Sequence, residues 1–266
     1  MNAEPWIPER LPLDRPSAAR VYDHMLGGYH NFEVDRKVAA QMAGVFPEVR
    51  LGAMANRAFL RRSVRFLIEQ GVEQILDLGS GIPTVGNVHE VAEAVNPTAR
   101  VVYVDIDSIA VAHSRTMLRD NPRATAIRAD VREPQLILDD PEVRSLLDFE
   151  RPMGLLLVAI LHYVIDDTEA YEIMRTFRDV MVPGGYCAIA HSSGESLGHI
   201  RLRELFSKAS PTLSRTPAQI LKLFDGFELV EPGLVQTPLW RPEGPDDIFL
   251  DQPEKAFTLA GVARKR

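Results

Sequence analysis

The stretch QILDLGSGIPT at residues 74–84 decides the fold. A short apolar run from Gln74 to Leu78 ends in two glycines, Gly79 and Gly81, and Pro83 stands before a helical pattern over 84–95. Strand, tight turn and helix in that order open a βαβ unit. Glycine lets the backbone approach a ligand closely, and free N–H groups at the following helix start can face a carboxylate or phosphate. Asp77, two places before Gly79, suits a cationic ligand part such as an amino-acid ammonium; its structural alternative is a tight turn with a helix-capping acid. A dinucleotide fingerprint needs a third glycine or an alanine, but the position counted from Gly79 holds Thr84, so the NAD pattern fails.

Outward from this turn, short apolar runs alternate with helical stretches. Strands are expected near 74–78, 101–105, 124–129, 153–160 and 186–191, and helices near 84–95, 108–120, 138–147 and 167–181. Apolar strands without polar alternation imply a sheet covered on both faces, hence mostly parallel and doubly wound. After a helix near 195–209 and another at 217–224, capped by Thr216 with Pro217 in its first turn, FELVEPGLV and FTLAGVARKR read as a terminal antiparallel pair. The whole is an α/β, Rossmann-like, mostly parallel seven-stranded sheet. Residues 231–254, rich in proline, glycine and acids, are expected to be a long loop.

In front of the sheet, residues 1–16 with four prolines read as an extended leader. A short helix is expected from Ser17, its N-cap, to the stop at Gly27–Gly28, followed by helices over 34–44 and 56–70. The domain division is therefore 1–16 leader, 17–70 N-terminal helical lid and 71–266 ligand-binding domain. Arg57, Arg61, Arg62 and Arg65 lie off the apolar face of the third helix and are expected to be solvated. Met25, Met42 and Met54 read as packing residues.

Composition bounds the function. The 266 residues carry 30 Lys+Arg against 37 Asp+Glu, a net charge of −7, so a general basic footprint for nucleic acid is absent. The single cysteine, Cys187, excludes an intrachain disulfide and points to a reduced, cytoplasmic setting. The longest apolar run, MGLLLVAIL at 153–161, is far shorter than the roughly 20 residues of a membrane span. The N-terminus lacks the apolar core of a signal peptide. No tight His, Asp or Glu cluster suggests a metal, and one cysteine excludes thiolate cages.

Ligands of doubly wound sheets bind outside the carboxyl ends of the strands. Asp105 ends the second strand, 28 residues beyond Asp77, where a carboxylate can accept both hydroxyls of a ribose, while Asp107 is free to cap the next helix. Asp130 follows the third strand, where it can receive an adenine amino group as the Val131 amide meets a ring nitrogen. Leu161-His162-Tyr163 follows the fourth.

DLGSG, VVYVD, ADVREP, AILHYVID and MVPGGYCAIAH, in that order over about 71–191, resemble the successive motifs of class I S-adenosylmethionine-dependent methyltransferases. RVYDHMLGGYHNFEVDR together with SGIPTVGNVHEVA is similar to a narrower family labelled only "S-adenosyl methyltransferase", and that likeness extends through EPGLVQTPLWRPE and GVARK. The resemblance implies S-adenosyl-L-methionine as cofactor, with Asp77, Gly79, Ser80 and Gly81 as the methionine-binding loop, Asp105 and Ile106 at the ribose, and Asp130 and Val131 at the adenine. Pro83 departs from the pattern: many class I enzymes place a third glycine there, and proline removes one N–H donor.

Methyl transfer from a sulfonium is an in-line displacement, so positioning supplies much of the acceleration. Where the acceptor must lose a proton, His162 is the expected base, with His191 a weaker candidate. Tyr22 is expected to donate to the cofactor carboxylate; from the lid, Tyr29 and His30 are expected to face the acceptor, with Asn31 or Arg36 closing the site. The expected function is an S-adenosylmethionine-dependent methyltransferase acting on a small-molecule acceptor, with neither nucleic acid nor membrane as partner. The alternatives are a non-catalytic sensor that binds the same cofactor and a nucleotide-dependent oxidoreductase, the latter opposed by Thr84.

Overall fold

The computed structural model describes residues 14–84, 86–194, 200–201, 204–205, 211–245 and 247–266. Five parallel strands, β1 (Gln74–Leu78), β2 (Arg100–Asp105), β3 (Ala124–Arg128), β4 (Gly154–Val158) and β5 (Tyr186–Ser192), are followed by β6 (Phe227–Leu229), β7 (Val235–Gln236) and β8 (Thr258–Lys265). Their order is β3-β2-β1-β4-β5-β8-β6, with the two-residue β7 also pairing β8. The expected sheet and its antiparallel terminal pair are present, and β7 adds a short eighth strand.

Both faces of the parallel strands are covered, which explains why these runs do not alternate with polar residues. Leu76, Leu78, Val102 and Val104 face one core, shared with Ile173, Phe177 and Ile220, whereas Ile75, Val101 and Tyr103 face a second, shared with Phe59, Val64, Leu67 and Trp240. Successive strand residues point to opposite faces, so each layer receives every second side chain.

The helices are α1 (Ala18–Met25), α2 (Glu33–Val45), α3 (Val49–Glu69), α4 (Val88–Val95), α5 (Ser108–Met117), α6 (Pro134–Asp139), α7 (Pro141–Leu146), α8 (Asp167–Val180) and α9 (Pro217–Lys222). The single helix expected at 138–147 is two. Pro141 disfavours a helical residue before it, and the Asp140 side chain instead accepts from the Glu142 and Val143 amides to start α7. The helix expected near 195–209 lies mostly outside the described residues, of which 200–201 and 204–205 are helical.

α3 begins at Val49 rather than at 56. Its first turns carry small residues, Gly52, Ala53 and Ala55, which give little periodic signal yet pack closely; Val49 and Ala53 join Val21, Met25, Ala39 and Met42 in a third core that binds α1 and α2 to α3. The arginine stripe on α3 is also corrected: Arg57 and Arg62 are buried. The long segment after β7 wraps this face, and Arg62 donates to the carbonyls of Trp240 at 2.9 Å and Thr237 at 2.7 Å while lying 3.6 Å from Asp247. No helix among the described residues is long and apolar enough to cross a membrane.

Candidate active site

The strand order reverses between β1 and β4, and such a switch point opens a crevice at the carboxyl ends. A cavity of about 460 Å3 lies there, lined by the ends of β1 to β4 and by α1 and α3. That volume falls in the range of about 300–1,000 Å3 typical of small-molecule sites.

The glycine turn is held by the neighbouring strand. Gly79 and Ser80 donate their amides to Val104 O at 2.8 and 3.1 Å, with φ of +71° at Gly79 and +67° at Gly81. A methyl group on Gly79 would lie 2.5 Å from Ile160 Cγ1, whereas one on Gly81 would enter open space. Asp105 ties this turn to the next: its Oδ2 accepts Gly81 N at 2.7 Å and its Oδ1 accepts Asp107 N at 2.8 Å. Asp107 caps α5 through the Ile109 and Ala110 amides, as expected, and also accepts from the Ser17 hydroxyl. Ser17 therefore sits at the N-cap position of α1 without capping it through its side chain.

Asp77 is buried, and among the described residues nothing donates a hydrogen bond to its carboxylate. Burial pushes its pKa up to about 7, against the opposing field of Arg57. Burial likewise raises Asp105 to about 6, although the Asp107 and Gly81 amides resist. Asp130 lines the cavity beside Val131, with Arg132 Nε donating to both its oxygens at 2.9 and 3.0 Å; that bond holds its carboxyl below the usual range.

At the end of β4, Ala159 adopts φ of +61°, a left-handed conformation costly to a residue with a Cβ, and it lines the cavity. The chain then enters a single 3-10 turn, Leu161–Tyr163. His162 is at the cavity wall with its Nδ1 buried and unpartnered. Burial first, then the neighbouring His191 and Arg215, lower its pKa to about 3, so the imidazole is neutral at physiological pH and a reluctant base. Burial also lowers His191 to about 4. Its Nδ1 is 2.8 Å from Ser192 O and its Nε2 accepts from Arg215 Nη1 at 2.8 Å, which fixes the proton on Nδ1. Arg215 also donates to Leu161 O and Val164 O at 2.8 Å and pairs with Asp167 at 2.9 Å, clamping the turn that presents His162 and Tyr163.

From α1, Tyr22 reaches the cavity, but its hydroxyl donates to Ala53 O at 3.1 Å and accepts from Asn56 at 2.9 Å; its proton is spent inside the protein. Asn56 Oδ1 and Arg57 Nε are buried without partners on cavity-lining residues. Tyr29, His30 and Asn31 do not line this cavity. Tyr29 is 94% exposed, His30 stacks on His113 of α5 at 4.1 Å between ring centroids, and Asn31 donates to Asp23 at 2.8 Å and to Gly28 O at 2.9 Å. Tyr29, Asn31 and Arg36 border a separate, more open hollow against α2.

The family model described as S-adenosyl methyltransferase matches residues 4–266. The chain belongs to that family. A crystal structure from Thermobifida fusca YX, described as a candidate methyltransferase, is similar at 42% identity and TM-score 0.92, covering 98% of this chain and 99% of that one. A DUF574 family protein from Streptomyces avermitilis MA-4680 is similar at 35% identity and TM-score 0.92, covering 97% of this chain and 100% of that one. No curated protein matches the chain.

The residues present in this methyltransferase fit S-adenosylmethionine. Asp77 offers a buried carboxylate that accepts no hydrogen bond from the described residues, Gly81 opens space, each Asp105 oxygen keeps a lone pair for a further donor, and Arg57 brings a guanidinium to the same wall. Of the residues that sequence reasoning left without a role, Tyr163 was within reach, since it adjoins His162 and lines the same wall. Arg57 and Arg215 carry no local signal, because their surroundings come from distant segments.

Proposed function

We propose that this S-adenosylmethionine-dependent methyltransferase transfers the methyl group to a small-molecule acceptor within the crevice over β1 and β4. The observation that carries this reading is Asp77, a buried carboxylate lacking a hydrogen bond, in the wall of a ligand-sized cavity. When bound, S-adenosylmethionine supplies a methyl carbon on positive sulfur: the acceptor's lone pair forms the new bond while the C–S electron pair returns to sulfur, leaving S-adenosylhomocysteine.

The chain's residues divide the work. Asp77 takes the ammonium, Arg57 the carboxylate, and the Gly79-Ser80-Gly81 turn lets the backbone lie against the methionine part. Asp105 accepts the ribose hydroxyls with Ile106 alongside, and Asp130 with the Val131 amide reads the adenine edge. Tyr22 packs above the donor rather than donating to it, because its proton is on Ala53 O. Residues 17–70 act as the lid over a 71–266 catalytic domain, anchored by the Ser17–Asp107 bond and the His30–His113 contact, with Tyr29 and Asn31 on its outer side. His162 faces the acceptor as a neutral imidazole, and its burial makes orientation its larger share of the chemistry. The lone buried cysteine, Cys187, suits a cytoplasmic setting.

Calorimetry with S-adenosylhomocysteine tests the pocket. Asp105→Ala removes the acceptor of the ribose hydroxyls and frees two amides, so affinity falls at least about tenfold, one or more charged hydrogen bonds being lost. Unchanged affinity would sink the assignment. Tight binding without S-adenosylhomocysteine formation from any acceptor would favour the sensor.

A further inference from the structure

The charged side chains that line the crevice are Arg57, Asp77, Asp105, Asp107, Asp130 and Arg132. Arg57 lies beside Asp77, and the other five lie at or just beyond the carboxyl ends of β1, β2 or β3. Strand order therefore divides the cavity: the β3-β2-β1 half is charged, whereas among the described residues the β4-β5-β8 half presents no charged side chain. That second wall is built from Met25, Val49, Ala53, Ile160, Ala256 and Phe257, with a few neutral polar groups between them.

Two features show that this wall is shaped. Phe257 is held at φ of +41°, an unusual conformation for a bulky residue, with its ring against Gly52, where a methyl group would come within 2.8 Å of the ring. The ring also meets Phe46 edge-on, with centroids 4.3 Å apart. On this half the His162 imidazole also lines the cavity, and burial keeps it uncharged. A neutral imidazole carries one donor and one acceptor nitrogen, so a ligand that meets it at the cavity wall gains a hydrogen bond without bringing a charge. Bringing an ion to a wall without a countercharge costs several kcal/mol.

We infer that the methyl acceptor is an uncharged, mainly apolar molecule that packs against Phe257 and makes one polar contact, to the imidazole of His162. The inference rests on the crevice being the methyl-transfer site and adds the acceptor's class. It makes His162 a discriminating residue, since an acceptor without a hydrogen-bonding group gives the imidazole no partner.

A matched series on one ring system reads this directly. 2-Naphthol, naphthalene, 2-naphthoate and 2-naphthylmethylammonium are titrated by ligand-observed NMR into the free protein and into protein saturated with S-adenosylhomocysteine. 2-Naphthol should bind at least about tenfold more tightly than either ion. It should also exceed naphthalene by about fivefold, a margin that His162→Phe abolishes because the ring stays and the nitrogen goes. Equal or tighter binding of an ion, no ranking at all, or a margin that survives in His162→Phe overturns the inference. Calorimetry of S-adenosylhomocysteine on the same samples reads the donor half separately. Absent binding there indicts the donor-site reading, while normal binding with the wrong ranking indicts the acceptor class alone.

Discussion

Two glycines in one turn do different work, and a single methyl group tells them apart. Gly79→Ala sets a Cβ 2.5 Å from Ile160 at a φ of +71°, and we expect a loss of about 2–4 kcal/mol of stability in urea unfolding. Gly81→Ala meets no atom, so its cost is about 1–2 kcal/mol from backbone conformation alone. It nevertheless weakens S-adenosylhomocysteine binding, because its methyl group occupies the space that the ligand needs. Both glycines, Asp77 and Asp105 were legible as residues because each follows an apolar run directly, and a strand end is a place that one-dimensional patterning can find. Arg57 was not, because a helical wheel sees only its own helix and cannot know that the face will be covered. Tyr29 shows the opposite case: an aromatic beside two glycines looks like a ligand contact, yet it stands exposed outside the crevice, and Asp23 and Asn31 use that turn for internal hydrogen bonds.

Among the elements, α3 shows how far a sequence-distant segment can rewrite a local reading. Arg62 satisfies two carbonyls of the 237–240 turn and faces Asp247, so this long helix is fastened to the returning chain. Arg62→Ala leaves those carbonyls buried without a donor, and we expect about 2–4 kcal/mol lower stability by denaturant titration with S-adenosylhomocysteine affinity kept within about twofold, since Arg62 does not line the crevice. A larger loss of affinity than of stability would place Arg62 in the binding machinery instead. Strand identities were readable because burial on both faces leaves an unmistakable apolar signature. Helix starts were harder: α3 opens with small residues chosen for close packing, and the α6–α7 break depends on one Asp-Pro pair.

Across the whole molecule, the buried acids couple binding to folding. Asp77 and Asp105 have ordinary values of 3.8, raised in the fold to about 7 and about 6, so between these limits the native chain holds protons that the unfolded chain has released. Stability of the ligand-free protein therefore falls as pH rises from about 4 through 7, by the linkage of proton uptake to folding. A thermal-melt series should show that slope, and Asp77→Asn should flatten it and raise the melting temperature at pH 8, worth on the order of 2 kcal/mol. The same variant should lose S-adenosylhomocysteine affinity most above pH 7, where the wild-type carboxylate is charged. A melt independent of pH over this range would contradict the burial of these groups. The residues that recognise the donor are thus a load on the empty fold, relieved when the cation arrives.

β8 lies inside the sheet, between β5 and β6, although it is the last strand in sequence. During synthesis, the strands carrying the donor loops leave the ribosome and can pair long before Thr258 appears, while β5 waits with an unpaired edge. Ala256 and Phe257, just ahead of that strand, arrive equally late. The nascent protein is therefore able to assemble its donor pocket before its acceptor wall exists, and the interval between the two is when the exposed β5 edge is open to pairing with another chain.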